Sequence, residues 1–171
     1  MRTVVVVGNP KPRSRTQHIA ELVANRIASA FGARHELTVD LSEYAEDLFR
    51  WPDERLAGVS SAVASADVLV VASPTYKGAY TGLLKSFLDR YPNGGLSGVI
   101  AIPVMTGGEP GHALAPAHSL SPVLLELGAS VPAKGLFFLM SQMDCADAVV
   151  DRWAEENLTK VFWRGRPSAP D

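Results

Sequence analysis

The sequence predicts an α/β fold in which a parallel five-stranded sheet is covered by helices on both faces. Residues 4–7 are four consecutive valines and residues 68–72 read VLVVA, and such continuous apolar runs are typical of strands buried on both faces. Stretches with helical spacing alternate with five strand-like runs along the chain. With 171 residues and 47% hydrophobic side chains, the chain can bury one sizeable core.

Five apolar runs predict the strands in chain order. They span residues 4–7, 35–41, 68–72, 99–105 and 131–140. The first ends at Gly8, and the third leads into Ser73 and Pro74. The second alternates between polar and apolar residues, which indicates a strand with one exposed face. The fourth contains Pro103, which a strand tolerates most readily near an end or at a bulge.

The predicted helices lie between and after these strands. They span residues 14–31, 53–65, 81–90, 112–128 and 146–163, and the first carries an apolar stripe of Ile19, Leu22, Val23, Ile27 and Ala30. Gly32 ends the first helix, while Pro116 and Pro122 interrupt the fourth. Helical spacing of Trp153, Phe162 and Trp163 favours packing in the core or against another subunit. We expect one domain over residues 1–164 and a frayed tail over residues 165–171.

Composition excludes several classes of function. The net charge is −2 and no block of lysine or arginine occurs, so nucleic acid is not an expected partner. No segment has the length of a membrane span or of a signal-peptide core, which predicts a cytoplasmic protein. The single cysteine, Cys145, excludes an internal disulfide, and the scattered histidines predict no metal site. An acidic stretch is interpreted as a solvated loop or helix face: Asp40, Glu43, Glu46 and Asp47.

The ligand of such a sheet binds beyond the carboxyl ends of the strands, which directs attention to three loops. The first loop, residues 8–16, leads into a helix, whose N-terminus offers free backbone N–H groups and a positive dipole. Ser14 and Thr16 add hydroxyls there and Arg15 adds a cation, so the loop predicts a phosphate cradle. It carries neither the dinucleotide-binding glycines nor a Walker A sequence. The alternative is that Ser14 only caps the helix and the basic residues are solvated.

The second and third loops have the composition of a site for a planar ligand. The second loop, residues 73–82, holds an aromatic residue, Tyr76, together with two glycines. The third loop, residues 106–112, is rich in glycine and follows the fourth strand. Glycine lets the backbone approach a flat ring closely, so that N–H groups can bond to its edge.

Two segments resemble the NADPH-dependent FMN reductases, and within them the flavin reductases of two-component sulfonate monooxygenase systems. These segments are residues 73–89, SPTYKGAYTGLLKSFLD, and residues 106–115, TGGEPGHALA. The first loop matches at Ser14, Arg15 and Thr16, whereas Asn9 and Lys11 replace the serine and arginine of the family pattern. The resemblance implies a flavodoxin-like doubly wound sheet of order 2-1-3-4-5.

The same resemblance implies the function and the site. An NAD(P)H-dependent FMN reductase would transfer hydride from reduced nicotinamide to FMN, with no catalytic side chain, because the flavin supplies the chemistry. The first loop would hold the phosphate, and the other two loops would border the isoalloxazine ring. The expected cofactor-binding residues are Asn9, Ser14, Arg15, Thr16, Pro74, Thr75, Tyr76, Lys77, Gly78, Thr106, Gly107, Gly108 and His112.

The resemblance also implies partners. A monooxygenase would receive the reduced flavin, and a homo-oligomer, dimer or tetramer, would assemble through the helix after the second loop. A π-type irregularity is expected between Gly78 and Gly82. Two alternatives stay open: a flavodoxin-like electron carrier, and an FMN-dependent quinone or azo reductase on the same fold. A phosphoacceptor signalling domain is set aside, because no acidic residue follows the first strand.

Overall fold

The computed structural model describes residues 1–161, and all five predicted strands are present among them. They form one parallel sheet in the order β2-β1-β3-β4-β5, as the resemblance implied. The strands are β1 (Arg2–Val7), β2 (Arg34–Asp40), β3 (Val68–Pro74), β4 (Ile100–Gly107) and β5 (Leu136–Leu139). Because the strand order reverses direction between β1 and β3, a crevice is expected at their carboxyl ends.

Five α-helices connect or follow the strands. They are α1 (Arg15–Phe31), α2 (Glu54–Ala64), α3 (Gly82–Leu88), α4 (Ser121–Glu126) and α5 (Ala146–Val161). Three short 3₁₀ turns, Leu41–Tyr44, Pro110–His112 and Met140–Cys145, lie in the connections. The predicted end of the last helix at Phe162 and Trp163 and the predicted tail over residues 165–171 lie outside the described residues.

Alternation along β1 divides the core into two layers. Val4 and Val6 pack on the face covered by α2, α3 and α4, whereas Val5 and Val7 pack on the face covered by α1 and α5. Trp153 lies in the second layer, as predicted, and its indole N–H donates to the carbonyl of Lys134 at 2.9 Å. Helices therefore cover both faces of the sheet, and both layers exclude water from its valines.

The fifth strand is shorter than predicted. Residues 131–140 were expected to be extended throughout, but only Leu136–Leu139 pair with β4. Pro132 has no N–H to donate, and a Cβ on Gly135 would lie 2.9 Å from the carbonyl oxygen of Pro103. Proline and close backbone packing therefore keep residues 131–135 out of the ladder. The preceding residue, Ser130, forms an isolated bridge with Ile100.

The fourth predicted helix is also interrupted. Its expected span of residues 112–128 divides into a π-helical turn, Pro116–Leu120, and the short α4. Pro116 cannot donate an intrahelical hydrogen bond, which explains why a regular α-helix does not run through it. The irregularity expected between Gly78 and Gly82 was placed wrongly, because Thr81 caps an ordinary α3 there. Within residues 1–161, no helix combines the length and apolarity that crossing a membrane requires.

Candidate functional site

The three loops converge on one pocket of about 430 Å³ at the carboxyl ends of β1, β3 and β4. Its walls comprise Asn9, Lys11, Pro12, Arg13, Ser14, Arg15, Thr16, Pro74, Thr75, Tyr76, Thr106, Gly107, Gly108 and Met140. Ten of the thirteen predicted site residues are thus brought together. The three that do not line the pocket are Lys77, Gly78 and His112.

The N-terminus of α1 forms the basic end of the pocket. Ser14 is the cap residue, and its Oγ accepts from the backbone N–H of Gln17 at 3.2 Å. Within the described part of the chain, no acceptor takes the N–H groups of Arg15 and Thr16, the first two of the helix. Arg15 itself is exposed at the pocket. This end therefore offers two backbone donors, the positive end of a helix and a guanidinium to an anion.

Asp40, at the end of β2, holds the first loop in place. Its Oδ2 accepts from the backbone N–H of Arg13 at 3.1 Å, and its Oδ1 accepts from the N–H and hydroxyl of Ser42. The interpretation of Asp40 as solvated was wrong, because only 7% of it is exposed. Asp47 likewise pairs with Arg50 at 2.8 Å and is only partly exposed. Arg13 takes the left-handed conformation, with φ of 49°, and Asp40 is the partner that fixes it.

A buried polar chain lies beneath the pocket. The side-chain amide of Asn9 donates to Thr16 Oγ1 at 3.0 Å, and Thr16 Oγ1 lies 2.8 Å from Thr106 Oγ1. The side-chain oxygen of Asn9, Oδ1, accepts from the backbone N–H of Lys11 at 2.9 Å, which orients the amide. These contacts join the first loop to the third.

The second loop meets the third through its backbone. The N–H of Thr75 donates to the carbonyl of Thr106 at 2.7 Å. Tyr76 and Ala79 then exchange backbone hydrogen bonds across a tight turn, whose central residues, Lys77 and Gly78, both have positive φ. The turn leaves half of Tyr76 exposed to solvent, and Tyr76 also lines the pocket.

The third loop approaches its neighbours closely. A Cβ on Gly107 would lie 2.8 Å from the ring of Phe137, so a larger residue would displace that ring. Gly108, in contrast, is exposed, and nothing lies within 4 Å of the position of its Cβ. His112 ends the 3₁₀ turn Pro110–His112, half-buried and away from the pocket wall.

Sequence reasoning missed two contributions to the site. Met140 follows β5 and completes the wall opposite the first loop. Because it comes from the carboxyl end of a fifth parallel strand, the topology was the signal that could have found it. Lys11, Pro12 and Arg13 lie within the predicted loop, but only their neighbours were selected. The described residues contain no cluster of three histidine, cysteine or acidic side chains that could hold a metal ion.

A larger pocket, about 580 Å³, lies between α1 and α5 on one face of the sheet. Arg26 pairs there with Asp151 and, at 3.0 Å, with Asp147, so its charge is already neutralised. The hydrogen bond to Asp151 raises the pKa of Arg26 further above its ordinary value. None of the three loops reaches this pocket. The smaller pocket, at the carboxyl edge of the sheet, is therefore the candidate site.

The residues of the candidate site fit FMN at both ends. A phosphate group would meet the unpaired N–H groups at the start of α1, with Arg15 beside them. At the other end, the hydroxyl oxygen of Thr75 is buried without a partner in the described structure, which suits a ligand that hydrogen bonds along its edge. The exposed backbone of Gly108 suits the approach of a planar ring.

Comparison with known proteins identifies the family of this chain. The family model for NADPH-dependent FMN reductases matches residues 1–144. The chain is similar to an FMN reductase (NADPH) of Escherichia coli strain K12, with 34% identity over 146 residues that cover 84% of this chain and 75% of the relative. It is also similar to the NADH-dependent FMN reductase SfnF of Pseudomonas putida, with 28% identity over 84% of this chain and 80% of the relative.

A solved structure shares the fold throughout. The crystal structure of the NADH:FMN oxidoreductase EMOB, in its apo form, superimposes with a TM-score of 0.77 at 28% identity, covering 98% of this chain and 97% of the other. This similarity confirms the flavodoxin-like fold. Together with the family match and the relatives, it shows that the chain belongs to the NADPH-dependent FMN reductase family of enzymes.

Proposed function

We propose that this chain binds FMN in the pocket formed by the three loops and reduces it with NADH or NADPH. The observation that carries the proposal is the convergence of an anion-binding helix N-terminus and an open, glycine-lined wall in one cavity. The phosphate of FMN binds at Ser14, Arg15 and Thr16. Its ring binds against the backbone of the second and third loops, with Thr75 beside its edge.

The protein's contribution is position and electrostatics. When bound, FMN accepts a hydride from the reduced nicotinamide, so the organic chemistry belongs to the cofactor. The titratable side chains among the residues of the pocket wall are Lys11, Arg13, Arg15 and Tyr76, and none of them is a carboxylate or a histidine. In the third loop, the exposed backbone N–H of Gly108 would stabilise negative charge on the ring edge. We therefore assign no acid, base or nucleophile.

The open side of the pocket supports release of the flavin to a partner. Tyr76 is 50% exposed and Gly108 is exposed, so residues 1–161 do not enclose the proposed ring end of the pocket. We propose that FMN is bound as a substrate and leaves in reduced form for a flavin-dependent monooxygenase. We also propose a homo-oligomer, because Phe49 and Trp51 are 85% and 67% exposed, and large exposed apolar side chains favour subunit contacts.

Steady-state oxidation of NADH and NADPH tests the proposal, with FMN, FAD, riboflavin and a quinone as acceptors. We expect turnover with FMN at a higher kcat/KM than with riboflavin, because only FMN carries the phosphate. An electron carrier would not oxidise either nucleotide. Faster turnover with the quinone than with any flavin would instead assign the chain to quinone reduction.

A further inference from the structure

A pair of hydroxyl groups joins the first loop to the third. Thr16 Oγ1 and Thr106 Oγ1 are 2.8 Å apart, and both residues are 2% exposed. Thr106 lies near the end of β4, where the third loop begins, while Thr16 lies in the first turn of α1. The pair thus connects the two halves of the site through side chains alone.

The number of protons in this pair limits what it can do. Asn9 already donates to Thr16 Oγ1, and its orientation is fixed because its own oxygen accepts from Lys11. The two hydroxyls carry two protons but share one hydrogen bond, so one proton always points elsewhere. If Thr106 donates to Thr16, Thr16 accepts twice and its own proton is free for the pocket. A hydroxyl that accepts two hydrogen bonds is also a stronger donor.

We propose that the hydroxyl of Thr106 is a positioning group for the phosphate of FMN, acting through Thr16. By donating to Thr16, it directs the proton of Thr16 toward the phosphate oxygens at the start of α1. Thr106, which begins the third loop, thereby affects recognition of a group that binds at the first loop. This inference rests on the proposed function, because it requires that the phosphate binds at Thr16.

Titration of wild-type protein, Thr106→Val and Thr106→Ser with FMN and with riboflavin tests the inference. Valine keeps the shape of threonine and removes its hydroxyl. We expect this change to weaken FMN binding by about threefold to tenfold. The affinity for riboflavin, which lacks the phosphate, should change by less than about twofold. Serine restores the hydroxyl, and we expect FMN affinity within about twofold of wild type. A purely structural role would affect both flavins together.

A double-mutant cycle shows whether Thr106 acts through its partner. In a Thr16→Val background, adding Thr106→Val should change FMN affinity by less than about twofold. Additive losses, equal losses of both flavins, or unchanged FMN affinity in Thr106→Val would each overturn the inference. If Thr106→Val does not fold, Thr106→Ala is measured by the same ratio of FMN to riboflavin affinity. Wild-type protein that binds both flavins equally would instead overturn the proposed phosphate site, and the inference with it.

Discussion

The backbone N–H of Arg13 donates to the carboxylate of Asp40 across 3.1 Å, although 27 positions separate the two residues. Asp40 ends β2, so the strand next to β1 fixes the conformation of the loop that follows β1. The shape of the basic end of the pocket is therefore set by a residue outside it. Arg13 needs that support, because φ of 49° is a rare conformation for a residue with a side chain.

Asp40→Asn tests the support of the first loop. Both carboxylate oxygens accept hydrogen bonds, so the amide nitrogen of asparagine would face a donor on one side. We expect the free energy of unfolding to fall by about 1–3 kcal/mol and FMN affinity to fall by about threefold to tenfold. Urea unfolding and FMN titration measure the two effects. Glu46→Gln, an exposed position of the same acidic stretch, is the control, with an expected change within about 0.5 kcal/mol. Identical behaviour of the two variants would contradict the role of Asp40.

Arg15→Ala tests the phosphate site directly. Loss of a charge-assisted hydrogen bond worth about 1.5–3 kcal/mol should weaken FMN by about tenfold to a hundredfold. Riboflavin affinity should not change. Arg34→Ala removes the same charge at the opposite edge of the sheet, where β2 begins, and should leave both flavins unaffected. Fluorescence titration gives all six dissociation constants. Equal losses of FMN and riboflavin in Arg15→Ala would remove the basis of the phosphate assignment.

Ser14→Ala separates helix capping from phosphate binding. Because Ser14 Oγ caps Gln17, the substitution should cost about 1 kcal/mol of stability. If Ser14 also contacts phosphate, FMN affinity should fall, by less than in Arg15→Ala, while riboflavin affinity is kept. If the variant loses stability and its affinities for FMN and riboflavin fall equally, helix capping is the role of Ser14.

Thr75→Val should change stability and affinity in opposite directions. The hydroxyl of Thr75 is buried without a partner in the described structure, which costs free energy in the ligand-free protein. We therefore expect valine to raise the free energy of unfolding by about 1 kcal/mol. It should also weaken the binding of FMN and of riboflavin alike, by about threefold to tenfold. Thermal unfolding and titration of both flavins measure these changes. Stronger flavin binding by the variant would show that the hydroxyl does not bond to the ring.

Gly8→Ala and Gly58→Ala should shift stability with opposite signs. A Cβ on Gly8 would lie 2.5 Å from Leu84 Cβ and 3.2 Å from Thr81 Oγ1, so we expect a loss of about 1–3 kcal/mol. Gly58 is exposed within α2, and nothing lies near the position of its Cβ. Alanine there should stabilise the protein by about 0.5–1 kcal/mol, because alanine has the higher helix propensity. Chemical denaturation distinguishes the two. A neutral Gly8→Ala would mean that α3 can move away from β1.

The sheet could be predicted because its strands carry a local signal. Four consecutive valines in β1 pack alternately into two core layers, and this requirement is visible in the sequence without knowledge of their partners. The helix over residues 112–128 was predicted from the same kind of pattern and was wrong in detail. The pattern reports which residues are apolar, whereas the missing N–H of Pro116 decided the hydrogen bonding.

The loops of the candidate site could be predicted from the sequence. Contacts between residues that are far apart in the sequence could not. The loop from Gly8 to Thr16 has a recognisable composition, and the topology delivers it to the carboxyl edge. The role of Asp40 depends on a hydrogen bond to Arg13, which no local pattern encodes. Met140 enters the pocket only because β5 ends beside it. Acidic residues near a strand end are therefore worth testing as loop supports before they are assigned to the surface.

The two ends of the pocket differ in how freely evolution can alter them. At the basic end, Asn9, Thr16 and Thr106 are buried and bonded to one another, so most replacements there would cost folding stability. At the other end, Tyr76 and Gly108 are exposed, and replacing exposed residues usually changes the free energy of unfolding little. Substitutions should therefore be tolerated more readily at the exposed end of the pocket than among the three buried, hydrogen-bonded residues.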